Sequence, residues 1–171
     1  MSHHSEKTTE RALLDNSSND LAKARNYLLR ILTRRDYPRH QLENKLKKFS
    51  LTAVEIKQVI DELIEDGLFK KDSYKMGRSR ELLKKGFGKR VIEQKLKVVK
   101  ESLAPSELTT LCEDLEITSQ NQIRQLIEKL LSKESSASLE PQKRKQRIIN
   151  FLVRKGHNFN EIFSELKNYK I

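Results

Sequence analysis

One short stretch decides the fold, and it reads Leu82-Leu83-Lys84-Lys85-Gly86-Phe87, with Ile92 and Leu96 after it. The same pattern occurs around Leu32 and Leu152: an apolar residue, a basic doublet, a turn, then apolar residues ten and fourteen positions on. The three copies lie 50 and then 70 residues apart. Self-similarity at such a period is typical of one small supersecondary unit repeated along the chain. The sequence therefore predicts a tandem array.

The segments around each copy have the spacing of helices. Apolar residues recur there every three to four positions, and no period-two alternation of useful length occurs. Signals for helix ends separate the segments: Pro38, Pro105, Gly67, Gly86, the capping boxes Thr52–Glu55 and Ser119–Gln122, and the Asn158–Glu161 cap. We predict an all-α fold of about nine helices, as an elongated array of three tandem three-helix repeats that are helix-turn-helix-like.

The predicted domains follow the same signals. They are a flexible polar tail at 1–19 and three repeats at 20–68, 69–117 and 118–171, the last with a polar loop at 134–140. A repeat of about 45 residues is too small to bury much of its own surface. We therefore expect neighbouring repeats to share apolar faces.

The charge of the chain indicates an acidic partner. Among its 171 residues, 35 are Lys or Arg and 24 are Asp or Glu, which gives a net charge of +11. Such a balance favours nucleic acid or an anionic protein groove. No apolar run approaches the ~18 residues that a membrane span needs, residues 1–10 carry no signal-peptide pattern, and the single Cys112 cannot form an internal disulfide. We expect a cytoplasmic monomer without membrane contact.

Sets of side chains for catalysis, metal binding or cofactor binding are not evident. The four histidines are scattered, and no CxxC or phosphate-loop motif occurs. Gly86-Phe87-Gly88 lies between two predicted helices without a preceding strand, so we interpret it as a turn. Cys112 is interpreted as a core residue and His157 as a packed turn residue. We predict no enzymatic activity, no metal and no cofactor.

Basic residues are the candidate binding residues because many of them recur at equivalent positions. At helix C-termini the doublets alone would contribute only about 0.3–1 kcal/mol per charge. As a set, they favour contacts to phosphates or carboxylates that do not depend on sequence. The candidates for partner or DNA contact are Arg34, Arg35, Lys47, Lys84, Lys85, Lys89, Arg90, Lys97, Lys143, Arg144, Arg147, Arg154, Lys155 and Lys167.

Sequence-specific DNA reading is a further possibility, with the helix at 38–48 or 88–100 as a recognition helix. The Asn and Gln side chains available there, Gln41, Asn44 and Gln94, are few and form no repeated pattern. We therefore interpret these helices as structural.

Three stretches carry a family resemblance. They are Leu29 to Leu46 with its Arg-Arg-x-Tyr turn, Gly67 to Leu96 with Tyr74, Arg80 and the Gly-x-Gly turn, and Lys145 to Phe159. From about Ala24 to Lys167 the chain resembles the RecX family of recombination regulators. It departs from the family pattern at Lys70-Lys71, where the family has an acidic pair, at Lys75, and near Phe49-Ser50, where a glycine is missing.

The resemblance implies a partner and a function. The partner is the filament of the RecA recombinase, with single- or double-stranded DNA within or near it. The expected function is to bind this filament and to modulate its ATPase, strand-exchange and co-protease activities, with inhibition as the expected direction and stimulation as the alternative, without an enzymatic activity or cofactor. The alternative is a stand-alone basic helical module that binds nucleic acid. A structural adaptor that binds neither is a third possibility.

Overall fold

The computed structural model describes residues 19–132 and 140–170. In this part of the chain nine helices and no strand are found, which confirms the all-α prediction. The helices are α1 (19–32), α2 (Arg39–Leu46), α3 (Ala53–Glu65), α4 (Ser73–Lys84), α5 (Lys89–Val98), α6 (Pro105–Asp114), α7 (Ser119–Leu131), α8 (Pro141–Lys155) and α9 (Phe159–Leu166). The predicted tail and polar loop, except for their last residues, lie outside the described residues.

The chain separates into two compact units, unit 1 up to Tyr74 and unit 2 from Lys75 onward. Each unit is a bundle of short helices around apolar cores. The boundaries of the three repeats at 20–68, 69–117 and 118–171 stay predictions.

Unit 1 has one hydrophobic core, formed by α1, α2 and α3. Leu28 of α1, Leu42 and Leu46 of α2, and Ile60 and Leu63 of α3 are all fully buried in it. Burial of each such side chain stabilises the fold by about 1.5–3 kcal/mol. The repeated apolar positions of the sequence therefore mark the inward face of α2.

Helix ends in unit 1 agree with most of the sequence signals. The Thr52–Glu55 capping box is formed, and Gly67 has the left-handed backbone, φ +69°, that ends α3. Pro38 differs slightly, because it precedes α2 as the N-cap and is not in the first turn. The sequence pattern places Val54 on the apolar face of α3, but its side chain is 76% exposed. Two residues before buried Ile56, it lies about 200° away around the helix.

Unit 2 has two hydrophobic cores. The first lies between α4, α5 and α6, where Leu82, Ile92, Leu96 and Leu111 are buried. The second lies between α7, α8 and α9 and contains buried residues from all three helices. Its members are Ile123, Ile127, Ile148, Ile149, Leu152, Ile162 and Leu166. Each copy of the repeated stretch thus contributes its two trailing apolar residues to a separate core.

For two helices of unit 2, the predicted pairing of capping side chains is wrong. Thr118, not Ser119, caps α7, and its hydroxyl accepts from the Asn121 amide at 3.1 Å. Gln122 is buried and donates instead to the Leu83 carbonyl at 2.7 Å. Asn158 does cap α9, but the Glu161 carboxylate accepts from the Ser119 hydroxyl at 2.5 Å. Partners distant in sequence bind the two side chains that local spacing assigns to caps.

Candidate partner-binding surface

The first basic doublet, Arg34-Arg35, follows the end of α1 and is exposed. The Arg35 guanidinium carbon lies 4.4 Å from the centre of the Tyr37 ring, and the Lys45 ammonium lies 5.1 Å from the same centre. Such contacts are worth about 0.5–1 kcal/mol at exposed sites. They orient the side chain of Arg35 while leaving the doublet accessible to a partner.

The second doublet, Lys84-Lys85, ends α4 and is also exposed. Lys85 forms an ion pair with Glu81, which also accepts a hydrogen bond from Arg78 at 2.6 Å. These hydrogen bonds, that of Lys85 first, lower the pKa of the Glu81 carboxyl. Lys84 forms no ion pair with the described residues, so it is the more available member of this doublet.

The third doublet, Arg154-Lys155, ends α8, and its two members differ. Arg154 is exposed, whereas Lys155 is half-buried. The Lys155 ammonium donates to the Lys85 carbonyl at 2.8 Å and lies 3.9 Å from the centre of the Phe87 ring. Burial lowers the pKa of Lys155. Lys155 stays a predicted contact residue, although its ammonium already has partners inside unit 2.

Two turns, residues 85–88 and 155–157, face each other between the two cores of unit 2, and we call them the turn junction. The Gly88 amide donates to the Lys155 carbonyl at 2.9 Å. His157 Nε2 lies 3.1 Å from the Gly86 carbonyl oxygen, and because that oxygen can only accept, Nε2 carries the hydrogen. His157 is 6% exposed, and burial lowers its pKa. It is the packed turn residue that the sequence predicted.

A concavity of about 750 Å³ lies where α5, α7 and α9 begin. Lys89 and Arg90, at the start of α5, are exposed at this concavity. Cys112 lines it from α6 and is half-buried against the α4–α6 core, where burial raises the pKa of its thiol. A raised pKa keeps the thiol protonated and weakly nucleophilic, which agrees with its interpretation as a core residue.

The exposed face of α8 carries another group of cations. Lys143, Arg147 and Arg154 line a shallow concavity of about 640 Å³ together with Gln146 and Asn150. Arg144 is half-buried and does not line it. The structure thus brings three of the four α8 candidates other than Lys155 to one surface.

The lysines that end each repeated stretch are exposed. Each follows a buried leucine by one position, which turns its side chain away from the core. They are Lys47 after Leu46, Lys97 after Leu96 and Lys167 after Leu166. Their side chains therefore face solvent, while their contact with a partner stays a prediction.

The comparison of repeats missed a cation–aromatic cluster in unit 1. The Lys48 ammonium lies 3.4 Å from the centre of the Tyr27 ring, and the Tyr27 and Phe49 rings are 5.7 Å apart. Arg30 also approaches Tyr27, at 5.8 Å. The contact between Tyr27 and Lys48 has no equivalent in the other copies, because the corresponding pairs there are Gly77 with Val98 and Arg147 with Asn168. The only sequence signal for this cluster was that basic residues lie close to aromatic ones along the chain.

Neither a metal site nor a membrane-spanning helix is found within residues 19–132 and 140–170. No group of three or more His, Cys, Asp or Glu residues there could hold a metal ion. No helix there is long and apolar enough to cross a membrane.

Comparison with known proteins identifies related domains. The family models of the first and third three-helix domains of RecX match residues 24–63 and 118–165, which together make up just over half of the chain. Two curated relatives are the regulatory protein RecX of Vibrio cholerae serotype O1, strains M66-2 and ATCC 39315 / El Tor Inaba N16961. Each is 32% identical over 78 residues, which are 46% of this chain and 51% of the relative. The matched stretch spans about half the length of these relatives.

Solved structures share the fold. A crystal structure of RecX from Lactobacillus salivarius matches with a TM-score of 0.69 at 20% identity, over 88% of this chain and 97% of that one. A crystal structure of another regulatory protein RecX matches with a TM-score of 0.72 at 17% identity, over 95% and 78% of the two chains. With two of its three-helix domains matched by RecX models, the chain belongs to the RecX family.

Proposed function

We propose that this chain binds the filament of the RecA recombinase and inhibits its ATPase, strand-exchange and co-protease activities. The observation that carries the proposal is the match of two distinct RecX domains to one chain. The exposed doublets in both units support it, since an assembled filament on DNA offers repeated negative charge. We also propose that the protein acts as a cytoplasmic monomer, without catalysis or a cofactor of its own.

The mechanism we infer is occupancy through many weak contacts. An exposed ion pair contributes about 0–1 kcal/mol, so no single Lys or Arg would hold a partner. When several such contacts lie on one chain, the first to form raises the effective concentration at which the others meet the partner. Together they can therefore bind firmly. A bound regulator would then block the subunit movement or the DNA access that recombination needs.

The direct test is the ATPase rate of RecA on single-stranded DNA while this protein is titrated in. The rate should fall as the protein approaches the concentration of filament sites. An unchanged rate at a large excess of this protein would refute the proposal.

The second candidate function is a stand-alone nucleic-acid module. The cations around the start of α5 and along α8 favour it, because they lie at concave surfaces. This function requires binding to naked nucleic acid that weakens steeply with salt. Co-sedimentation with assembled filaments, compared with naked DNA in the same salt series, separates the two functions.

A further inference from the structure

The two concavities of unit 2 meet at one residue. Val153 of α8 lines both the 750 Å³ concavity at the start of α5, α7 and α9 and the 640 Å³ concavity along α8. From Lys143 to Arg154 the α8 surface extends about 16 Å at 1.5 Å per residue. The two concavities thus adjoin at Val153, and we call the surface that they form together the α8–α9 track.

Positive side chains are found along the whole track. Lys89 and Arg90 are exposed at one end, and Lys143, Arg147 and Arg154 lie along the other. Among the described residues, Lys89, Arg90 and Arg147 form no ion pair, and Lys143 pairs with Glu140 at 3.4 Å on a solvent-exposed surface. These charges are therefore available to an anionic chain.

The track also contains exposed aromatic surface. Phe159 and Phe163 of α9 have ring centres 4.6 Å apart, and they are 55% and 37% exposed. Phe159 lines the larger concavity, which the two cations of α5 also line, and Phe163 packs on it from outside the concavity. Apolar surface left exposed at a charged concavity is typical of a binding surface.

We propose that the α8–α9 track binds single-stranded nucleic acid, with a base stacked on Phe159 and the backbone phosphates against Lys89, Arg90 and the cations of α8. Single strands use this combination of an aromatic platform and a basic groove, because their base faces are open for stacking. In a duplex those faces are covered by neighbouring bases. The proposal rests on the nucleic-acid part of the proposed function and does not require RecA.

The carboxylate of Glu161 determines which side of the larger concavity a phosphate of the ligand can occupy. Glu161 lines it too, and its carboxylate accepts the hydrogen bond of Ser119. A phosphate is repelled there and attracted at Lys89 and Arg90. The base then lies on Phe159, and the strand continues past Val153 toward Arg147.

The first test uses the absence of tryptophan from the chain. Phe159→Trp gives the full-length protein one fluorescent reporter on the proposed platform. Addition of oligothymidylate of about 16 nucleotides should quench its emission, since the base stacks on the indole. A duplex of equal length should quench it much less. Val98→Trp, at a position that is 82% exposed on α5 and outside the track, is the matched control and should not respond.

The second test measures the affinity for the same oligonucleotide by fluorescence anisotropy. Phe159→Ala should weaken binding about tenfold, the range of one lost base stack. Arg90→Gln should weaken it and lower the slope of log K against log salt by about 0.7. Val98→Ala and Lys170→Gln, at exposed positions outside the track, are the controls and should bind like the wild type. Circular dichroism checks that each variant is folded.

Three results would overturn the proposal: unchanged emission of the Phe159→Trp variant in the presence of bound oligonucleotide, equal effects of the track and control variants, or equal quenching by single strand and duplex. Displacement of the oligonucleotide signal by polyglutamate at equal charge would assign the track to an acidic peptide and would also overturn it. RecA is absent from these assays. Their outcome is therefore distinct from that of the ATPase test.

Discussion

Gly88 and Gly156 pack backbone against backbone in the turn junction. A methyl group on Gly88 would lie 2.4 Å from the Gly156 carbonyl oxygen, and one on Gly156 would lie 2.6 Å from a Val91 methyl carbon. Gly156 also has a left-handed backbone, φ +92°, which side chains disfavour. Both positions therefore need glycine, Gly88 for space alone and Gly156 for space and conformation.

Replacement of Gly88 should destabilise the protein. Gly88→Ala should lower the free energy of unfolding by about 1–3 kcal/mol, because backbone atoms that cannot rotate away meet the new methyl group. The measurement is urea unfolding followed by circular dichroism. Gly77→Ala in α4 is the control: nothing lies within 4 Å of its added methyl group. This variant should gain about 0.5–1 kcal/mol. Equal stability of the two variants would contradict the close backbone packing of the turn junction.

The two members of the third doublet, Arg154 and Lys155, should differ in how much they contribute to the stability of the fold. Lys155→Ala should lower the free energy of unfolding by about 1–2 kcal/mol, since it loses the hydrogen bond to the Lys85 carbonyl and the contact with Phe87. Arg154→Ala, one residue earlier and exposed, should change it by less than about 0.5 kcal/mol. If both variants unfold at the same urea concentration, Lys155 is not a structural residue.

His157 should make the stability depend on pH. Its pKa is lowered in the folded state because the ring is buried, so the unfolded chain takes up the proton first as the pH falls. The stability supported by neutral His157 is present above its unfolded pKa of about 6.5 and is lost as the pH falls toward the folded value. Urea unfolding at pH 7.5 and 5.5 measures this loss. In His157→Gln, which keeps a donor for the Gly86 carbonyl, the loss should be smaller; an unchanged loss would exclude His157 as its source.

Glu165 should contribute stability that is also lost as the pH falls, but whose loss begins at a lower pH than the loss from His157. Its side chain is 2% exposed and accepts from Arg124 at 2.9 Å and from Gln120 at 3.3 Å. The bond from Arg124 is the main cause of its lowered pKa. The resulting stability is present above the unfolded pKa of about 4.3 and disappears as the pH falls through the folded value. Arg124→Gln should therefore be less stable than wild type at pH 7 and equal to it near pH 2, as thermal unfolding can show. A constant difference would point to packing instead of charge.

Reversal of the first doublet tests the proposed RecA contact. Arg34→Glu/Arg35→Glu should reduce co-sedimentation with RecA filaments several-fold, since it replaces two exposed attractive charges by repulsive ones. Its free energy of unfolding should fall by no more than about 1 kcal/mol, the contact between Arg35 and the Tyr37 ring. The matched control is Lys70→Glu/Lys71→Glu, which reverses an exposed doublet outside the candidate set. Undiminished binding of the first variant would remove Arg34 and Arg35 from the surface.

The fold could be predicted in large part because the apolar positions that repeat in the sequence are also the positions that are buried. The positions of Leu42, Ile92 and Ile162 in the three copies are all fully buried, and the segments between them have helical spacing. Val54 shows where the pattern misled, since an apolar residue in a first helical turn can face water at little cost. The positions of helix caps depended on partners far along the chain, which spacing alone does not reveal.

The candidate surface was predicted less well, because equivalent residues have different surroundings. Lys85 and Lys155 occupy the same position in their copies, yet one pairs with Glu81 at the surface and the other is half-buried on Phe87. Phe159 was missed as a surface residue because an aromatic residue in an amphipathic helix is usually interpreted as core. Only the three-dimensional arrangement shows that it lines the same concavity as Lys89 and Arg90.

The hydrogen bond from the Gly88 amide to the Lys155 carbonyl has a consequence for how unit 2 opens. An amide just before a helix usually faces water and exchanges its hydrogen for deuterium quickly. Here it is buried between two cores that also share the bond from Gln122 to Leu83. Exchange at Gly88 should then require both cores to open at once, as in a single cooperative foldon, and its protection should match that of the most slowly exchanging amides of the unit. Two copies of the repeat would in this way have lost their independence and become one folding unit.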